Sequence, residues 1–172
     1  HPDVRRMLLN VKASTEGMRA LSSWVAVNID IGFNDEDEAV RQEANDVVAL
    51  FTPIVKSYCT ERGFWNVSEA MQVCGGAGYT TDWCIEQYLR DIRIAMIYEG
   101  TNHIQALDLI GRKLPSKGGR AMMAFNKRIT SFIRDHKDDE RMAPFVNPVK
   151  EASKLLTEIT MNNLMSKAAQ DP

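Results

Sequence analysis

Glu99 is the residue whose surroundings in this sequence most suggest acid–base chemistry. It follows an apolar run, residues 94–98, and it precedes Gly100. A carboxylate among apolar side chains has its charged form disfavoured, and the raised pKa of such a group suits it to act as a base near neutral pH. The alternative is a solvated loop glutamate, or an acid beside the positive end of a helix that begins at Thr101. The local pattern alone favours the alternative.

A glycine-rich segment, residues 75–78, is a second candidate site. Gly75, Gly76 and Gly78 flank a single alanine. Small residues of this kind let a backbone approach a phosphate or an adenosine closely. The segment follows neither the dinucleotide fingerprint after a strand nor the Walker pattern. On spacing alone, a tight turn between two helices is therefore the favoured interpretation.

The histidines and cysteines do not form a metal-binding pattern. They are His1, His103, His136, Cys59, Cys74 and Cys84. The histidines are scattered and the cysteines contain no C-x-x-C pair, so no metal site is predicted. An odd cysteine count with wide spacing favours a reducing compartment. We expect a cytoplasmic protein, with His103 as a cap or surface residue when judged on position alone.

Helical periodicity dominates the elements that must position these residues. Apolar residues step by three and four from Val4 to Ile29, and again from Val40 to Tyr58. Pro53 interrupts the second run, where we expect a kink because the stripe continues beyond it. We expect the second helix to end at a glycine, residue 63.

Shorter helices are predicted around the two candidate segments. A third helix covers residues 66–74, with its first residue, an asparagine, as the cap. Another covers residues 84–90. Thr101 or Asn102 caps a helix that ends before Pro115.

The last third of the chain is helical too. Apolar stripes run through residues 122–133 and 149–159, and Pro144 and Pro148 are expected to bracket a break between them. No strand-like alternation of useful length is present. The fold class is therefore all-α, most simply an antiparallel four-helix bundle over residues 1–115 with additional C-terminal helices, residues 116–172, packed on it.

Composition restricts the class of protein. The chain has 172 residues, with 21 Lys and Arg against 23 Asp and Glu, a formal charge of −2. This balance argues against a strongly basic nucleic-acid binder. A hydrophobic fraction of 44% argues against disorder, and no apolar run is long enough for a membrane span. Because the chain begins His-Pro and not Met, we expect it to be a piece of a longer protein.

Three blocks of sequence resemble the C-terminal helical domain of acyl-CoA dehydrogenases. They are QVCGGAGYT at residues 72–80, EQYLRD at 86–91 and IYEGTNHIQ at 97–105. Their order and spacing are more specific than any block alone. The resemblance is strongest between residues 72 and 112 and extends back to His1. The tail after Pro115 resembles the extra helical segment of a bacterial subgroup acting on medium- or long-chain acyl-CoA thioesters, or on methylthiopropionyl-CoA.

The resemblance implies a flavoenzyme that uses FAD to oxidise an acyl-CoA to a trans-2-enoyl-CoA. Glu99 falls on the family's catalytic base, which takes the α-proton, and Gly100 falls where the substrate passes the backbone. Thr101 and His103 fall on contacts to FAD. The adenine end of a neighbouring subunit's FAD is held, in the family, by positions that correspond here to Gln72, Val73, Cys74, Gly75 and Gly76.

The resemblance also implies partners. These are an acyl-CoA substrate, an acceptor like electron-transfer flavoprotein, and further copies of the chain in a homodimer or homotetramer. Two departures from the family pattern stand out. His103 occupies a position where many relatives carry an amide or an acid, and one extra residue separates Gln105 from Arg112. The family's arginine role is therefore not assigned to Arg112.

The family's N-terminal helical domain and middle β-domain have no counterpart in this sequence. The helical domain alone would form only one side of a flavin site, and one side does not exclude water. We therefore expect the chain alone to bind FAD weakly or not at all and to show no turnover. The alternative functions are a non-catalytic helical module for oligomerisation or interaction, and an acyl-CoA oxidase.

Overall fold

The computed structural model describes the backbone of residues 1–168 and the side chains of residues 1–162, and this part of the chain contains helices and turns but no strand. The α-helices are α1 (Pro2–Asn34), α2 (Glu38–Cys74), α3 (Ile85–Arg93), α4 (Asn102–Asp108), α5 (Arg120–His136) and α6 (Ala143–Ala168). The all-α prediction is confirmed, including the additional C-terminal helices. Within the same described part, no helix has the length and apolar character needed to cross a membrane.

The chain divides into two compact units. The first is His1–Leu114 and the second begins at Pro115. In the first unit α1, α3 and α4 each pack against α2, which is therefore the central helix. The antiparallel four-helix arrangement of this unit stays a prediction.

Helices α1 and α2 form a long antiparallel hairpin. Asp37 begins α2 as its N-cap, since its carboxylate accepts the amide N–H of Ala39 at 2.8 Å. Trp24 of α1 meets Phe51 of α2 edge to face, with ring centroids 4.9 Å apart. The buried apolar side chains of the hairpin are Met7, Val25, Ala44, Val47, Leu50, Phe51 and Pro53. Burial of this stripe explains why both helices exceed 30 residues.

Helix α2 is longer than predicted, because it continues through Gly63 to Cys74. The expected end at Gly63 is wrong, and so is the separate third helix capped by Asn66. A side-chain carbon on Gly63 would lie 3.5 Å from Ile92 of α3, which is an ordinary contact distance, so the packing of α3 against α2 does not require a glycine here. Asn66 is buried and bonds to α1, which is a tertiary contact that local pattern does not reveal.

A π-helical turn, Leu109–Lys113, follows α4. The amide N–H of Leu114 donates to the carbonyl of Leu109 at 2.9 Å, five residues back. Such a turn holds one more residue than an α-helical turn. Arg112 pairs with Asp108 across this turn and holds the pKa of that carboxyl below its ordinary value.

The second unit contains α5 and α6, which pack together. The predicted break at Pro144 and Pro148 is wrong, because α6 begins at Ala143 and includes both prolines. Pro144 lies in the first turn, where a missing N–H removes no helical bond. Pro148 lies one turn later, and its missing N–H removes one hydrogen bond from the helix. The helix has already started at that point, because the amides of Phe145 and Val146 donate to the Met142 carbonyl.

Candidate functional site

The loop that leads into α4 carries the predicted base in a strained backbone. Glu99 has φ +53° and Gly100 has φ +81°. Glycine adopts such left-handed angles freely, but a glutamate does so at a cost of about 1–3 kcal/mol and only where surrounding contacts hold it there. Two successive residues of this kind turn the chain sharply just before α4. Strained non-glycine residues concentrate at functional sites. Cys84 and Lys117 also have positive φ, and this loop is the leading candidate site because it carries the predicted base.

Helix α2 holds this loop through Lys56. The half-buried ammonium group of Lys56 donates to the carbonyl oxygen of Gly100 at 2.7 Å and to Asn102 Oδ1 at 3.0 Å. Thr60, one turn further along α2, donates its hydroxyl to the same Asn102 oxygen at 3.1 Å. The Asn102 amide group returns a bond to the carbonyl of Ser57 at 3.3 Å. The loop is therefore fixed to α2 by four bonds.

Helix α4 holds the loop from its other side. Gln105 Nε2 donates to the carbonyl of Glu99 at 3.3 Å and lies 3.5 Å from that of Gly100. Thr101 is the N-cap of α4, and its hydroxyl oxygen accepts the amide N–H of Ile104 at 3.3 Å. The prediction that Thr101 or Asn102 caps this helix is confirmed, with Thr101 as the cap. The peptide groups around Glu99 are thus fixed from two helices.

The Glu99 side chain is exposed, as the favoured interpretation of the local pattern predicts, and does not lie in the apolar environment that a base of raised pKa would need. Three of the five neighbours that made the sequence look apolar are themselves exposed: Ile94 at 54%, Ile97 at 48% and Tyr98 at 52% relative accessibility. They lie in and after a short 3-10 turn, Ile94–Met96, and do not close over the carboxylate. Within the described part of the chain no side chain pairs with the Glu99 carboxylate. It is therefore available to a ligand.

The glycine-rich segment is a tight turn at the end of α2, as spacing predicted. Gly75 has φ +60° and ends α2, with its amide donating to the carbonyl of Gln72. Gly75 and Gly76 are exposed, and a side-chain carbon on either would meet open space. Gly78 is different, because such a carbon would lie 2.8 Å from Cys74 Cβ. One glycine of the run is needed for packing, and two leave the backbone accessible.

The predicted site residues form two separate groups. Gln72 is exposed and Val73 and Cys74 are half-buried at the end of α2, next to the open glycines. Thr101 and His103 are exposed at the start of α4. Residues 72–76 and 99–103 both lie in the described part of the chain, and no hydrogen bond or ion pair joins the two groups. The structure therefore presents two separate candidate sites on one unit.

Sequence reasoning missed Lys56 and Thr60. Both lie on α2, more than forty residues before the loop that they contact. Neither belongs to the apolar stripe or to a recognisable motif. No local signal in the sequence points to them, since their role depends on how α2 packs against the loop.

The comparison with protein families decides the identity of the first unit. The family model described as acyl-CoA dehydrogenase, C-terminal domain, matches residues 1–114. The chain belongs to the acyl-CoA dehydrogenase family. The matched range coincides with the first compact unit, His1–Leu114.

The curated relatives of this chain are also named as acyl-CoA dehydrogenases. The 3-methylmercaptopropionyl-CoA dehydrogenase of Ruegeria pomeroyi is 37% identical over 172 residues, which is 100% of this chain and 29% of that protein. A broad-specificity linear acyl-CoA dehydrogenase of Mycobacterium tuberculosis is 37% identical over 77% of this chain and 22% of its own length. A butyryl-CoA dehydrogenase of Syntrophomonas wolfei is 34% identical over 94% of this chain and 27% of its own length.

A solved structure supports the fold. Bd2924 in its apo form superposes with a TM-score of 0.67 at 22% identity, over 95% of this chain and 34% of that one. All of these comparisons match a minor part of the other protein. The chain spans less than a third of the length of its curated acyl-CoA dehydrogenase relatives and aligns with their C-terminal part.

Proposed function

We propose that this chain is the C-terminal part of an FAD-dependent acyl-CoA dehydrogenase in which Glu99 removes the α-proton of an acyl-CoA thioester. The observation that carries the proposal is the backbone of Glu99, whose positive φ is held in place by bonds from α2 and α4. Cys84 and Lys117 also have positive φ, so the proposal depends on the bonds to the Glu99 loop together with its conformation. The names of three relatives support the proposal. One is named as a dehydrogenase of 3-methylmercaptopropionyl-CoA, one of linear acyl-CoA and one of butyryl-CoA.

The reaction would remove one proton and one hydride from the acyl-CoA. A carboxylate oxygen of Glu99 takes the α-proton of the thioester, the electron pair of that C–H bond forms the new α,β double bond, and the β-hydrogen leaves as hydride. The bound FAD would supply the acceptor for this hydride. Gly100 lacks a side chain beside the base, so the thioester can pass close to the backbone. The product is a trans-2-enoyl-CoA.

The open backbone at Gly75 and Gly76 fits an adenine-containing group. A side-chain carbon at either position would fill the space over the backbone, and none is present. We propose that Gln72, Val73, Cys74, Gly75 and Gly76 hold the adenine end of FAD from a neighbouring subunit. At the other site, Thr101 and His103 would contact the same cofactor class from the start of α4.

Because Glu99 is exposed on this unit, other parts of the enzyme would have to exclude water from its carboxylate. A hydrated carboxylate is too weak a base for a thioester α-proton, so a productive site must be dry. Within this unit the carboxylate is exposed. We propose that bound FAD, the acyl-CoA and regions of the enzyme outside this chain cover it. A homodimer or homotetramer and an acceptor resembling electron-transfer flavoprotein complete the proposal.

Glu99→Gln in the full-length enzyme tests this function. The amide keeps the size of the side chain but takes no proton, so we expect acyl-CoA to bind while reduction of the flavin falls by a factor of about 10³ or more. The measurement is the loss of the flavin's visible absorbance after butyryl-CoA or 3-methylmercaptopropionyl-CoA is added without oxygen. A protein acting only as an oligomerisation module would show no such reduction in either form.

Glu36→Gln is the matched control. Glu36 is an exposed residue between α1 and α2, and about 20 residues of α2, or roughly 30 Å, separate it from the point where Lys56 meets the loop. We expect this variant to reduce flavin at the wild-type rate. Retention of wild-type reduction by Glu99→Gln would contradict the proposal. Faster reoxidation by oxygen than by a flavoprotein acceptor would instead identify an acyl-CoA oxidase.

A further inference from the structure

Lys56 is a charged group held in an unusual place. Its side chain is half-buried, and its ammonium group donates to two neutral oxygens, the Gly100 carbonyl and Asn102 Oδ1. No carboxylate lies within ion-pair distance of it among the described residues. Lysine ammonium groups normally remain in water or pair with an acid, because removal from water is costly. The hydrogen bonds to the loop therefore hold the Lys56 ammonium group in place without a counter-ion.

The acceptor of the shortest of these bonds lies directly beside Glu99. The Gly100 carbonyl belongs to the peptide that follows the strained turn, and the Lys56 bond to it measures 2.7 Å. A bond from a charged donor is about twice as strong as a neutral one. Left-handed geometry at Glu99 is unfavourable without support. Loss of the Lys56 bond would therefore let the Glu99–Gly100 turn relax.

Asn102 joins this bond to a second one. Its side-chain oxygen accepts both Lys56 and Thr60, and its amide group reaches the Ser57 carbonyl. Three residues of one face of α2 thus fix the first residue of α4. The start of α4 and the Gly100 carbonyl are therefore both bonded to α2, the central helix of the unit.

We propose that Lys56 is a positioning residue that sets the direction of the Glu99 carboxylate by holding the Gly100 carbonyl and Asn102 on α2. This inference rests on the proposed function of Glu99. Lys56 does not touch the substrate in this proposal. Its contribution is to keep the base in line with the α-proton, where a misplacement of about 1 Å slows the reaction by about 10²-fold.

Lys56→Met in the full-length enzyme tests the proposal. Methionine keeps the unbranched stem but donates no hydrogen bond. We expect kcat to fall by about 10- to 100-fold while KM stays within about threefold, since the thioester would still bind. We also expect a larger isotope effect on kcat with butyryl-CoA deuterated at the α-carbon, because proton removal becomes more rate-limiting. Lys56→Arg should recover part of kcat.

Two controls separate positioning from general damage. Lys12→Met removes an exposed lysine that pairs with Glu16 on α1, and we expect wild-type kcat. A loss of folded protein would lower kcat in Lys56→Met without changing its isotope effect. Unchanged kcat, or a lower kcat with an unchanged isotope effect, would therefore overturn the positioning role.

Thr60→Val keeps the proposal testable if Lys56→Met does not fold. Valine matches threonine in shape but removes the hydroxyl, which bonds to Asn102 Oδ1 at 3.1 Å and to the Lys56 and Ser57 carbonyls within α2 at 2.7 and 3.3 Å. We expect kcat to fall by a smaller factor, about two- to fivefold, and the isotope effect on kcat to rise as in Lys56→Met. An isotope effect that does not rise would count against the proposal.

The Glu99→Gln result identifies which idea fails. Activity in Glu99→Gln would refute the function of Glu99 and the Lys56 proposal with it. Inactive Glu99→Gln together with fully active Lys56→Met would refute the positioning role alone.

Discussion

Asn66 shows how a single buried residue ties two long helices together. It is 8% exposed, its side-chain oxygen accepts the Ser14 hydroxyl at 2.8 Å, and its amide group donates to Thr15 Oγ1 at 3.2 Å. Ser14 also donates to the carbonyl of Asn10 within α1. A buried amide needs such partners, since an unpaired one costs stability. This pairing fixes which residues of α1 and α2 face each other.

We expect Asn66→Ala to lower the free energy of unfolding by about 1–3 kcal/mol, because it removes two bonds and leaves a gap. Urea denaturation followed by circular dichroism measures the change. Asn10→Ala, an exposed position on α1 whose carbonyl is unaltered, should stay within about 0.5 kcal/mol of wild type. Equal effects at both positions would show that the buried contact contributes nothing.

Helix α2 is the element on which the first unit depends. It supports α1, α3 and α4, and it supplies the bonds to the Glu99 loop. Two glycines associated with it serve different purposes. Gly63 leaves ordinary contact distance to Ile92, whereas Gly78, after the helix, lies where a side-chain carbon would meet Met71 O at 2.9 Å. Only the second is required by packing.

We expect Gly63→Ala to raise the free energy of unfolding by about 0.5–1 kcal/mol, since alanine favours the helix interior and its methyl group fits against Ile92. Gly78→Ala should lower it, because its methyl group would overlap Cys74 and the Met71 carbonyl. Both are read from the same denaturation experiment. Destabilisation by Gly63→Ala would mean that α3 packs more tightly than its distance indicates.

At the scale of the whole molecule, the chain carries two candidate surfaces on one unit and encloses neither. Glu99, Thr101 and His103 are exposed, and so are Gly75 and Gly76. The relatives that share this unit are more than three times as long as this chain. A flavin site that excludes water therefore needs more surface than this unit supplies.

We expect the chain alone, mixed with FAD and butyryl-CoA without oxygen, to leave the flavin's visible absorbance unchanged. The physical reason is that Glu99 stays hydrated when nothing covers it. The full-length enzyme under the same conditions is the positive control. Loss of the flavin's visible absorbance with the chain alone would contradict this expectation. It would show that the surface of this chain is enough for catalysis.

The sequence by itself determined the helical class and the family. Apolar spacing of three and four residues reflects the helical repeat directly, and the three blocks between residues 72 and 105 match the family that the comparison confirms. Helix ends were not determined by this spacing. Gly63 and Pro148 look like terminators locally, but tertiary packing and position within the helix decided otherwise.

Only the tertiary structure decided how Glu99 is held and how exposed it is. Lys56 and Gly100 are 44 residues apart, and no local pattern encodes a contact across that separation. The apolar run before Glu99 looks like a buried segment in the sequence, yet Ile94, Ile97 and Tyr98 are exposed on this unit. Local periodicity fixes which residues form helices, whereas strain, burial and hydrogen-bond partners depend on how those helices meet.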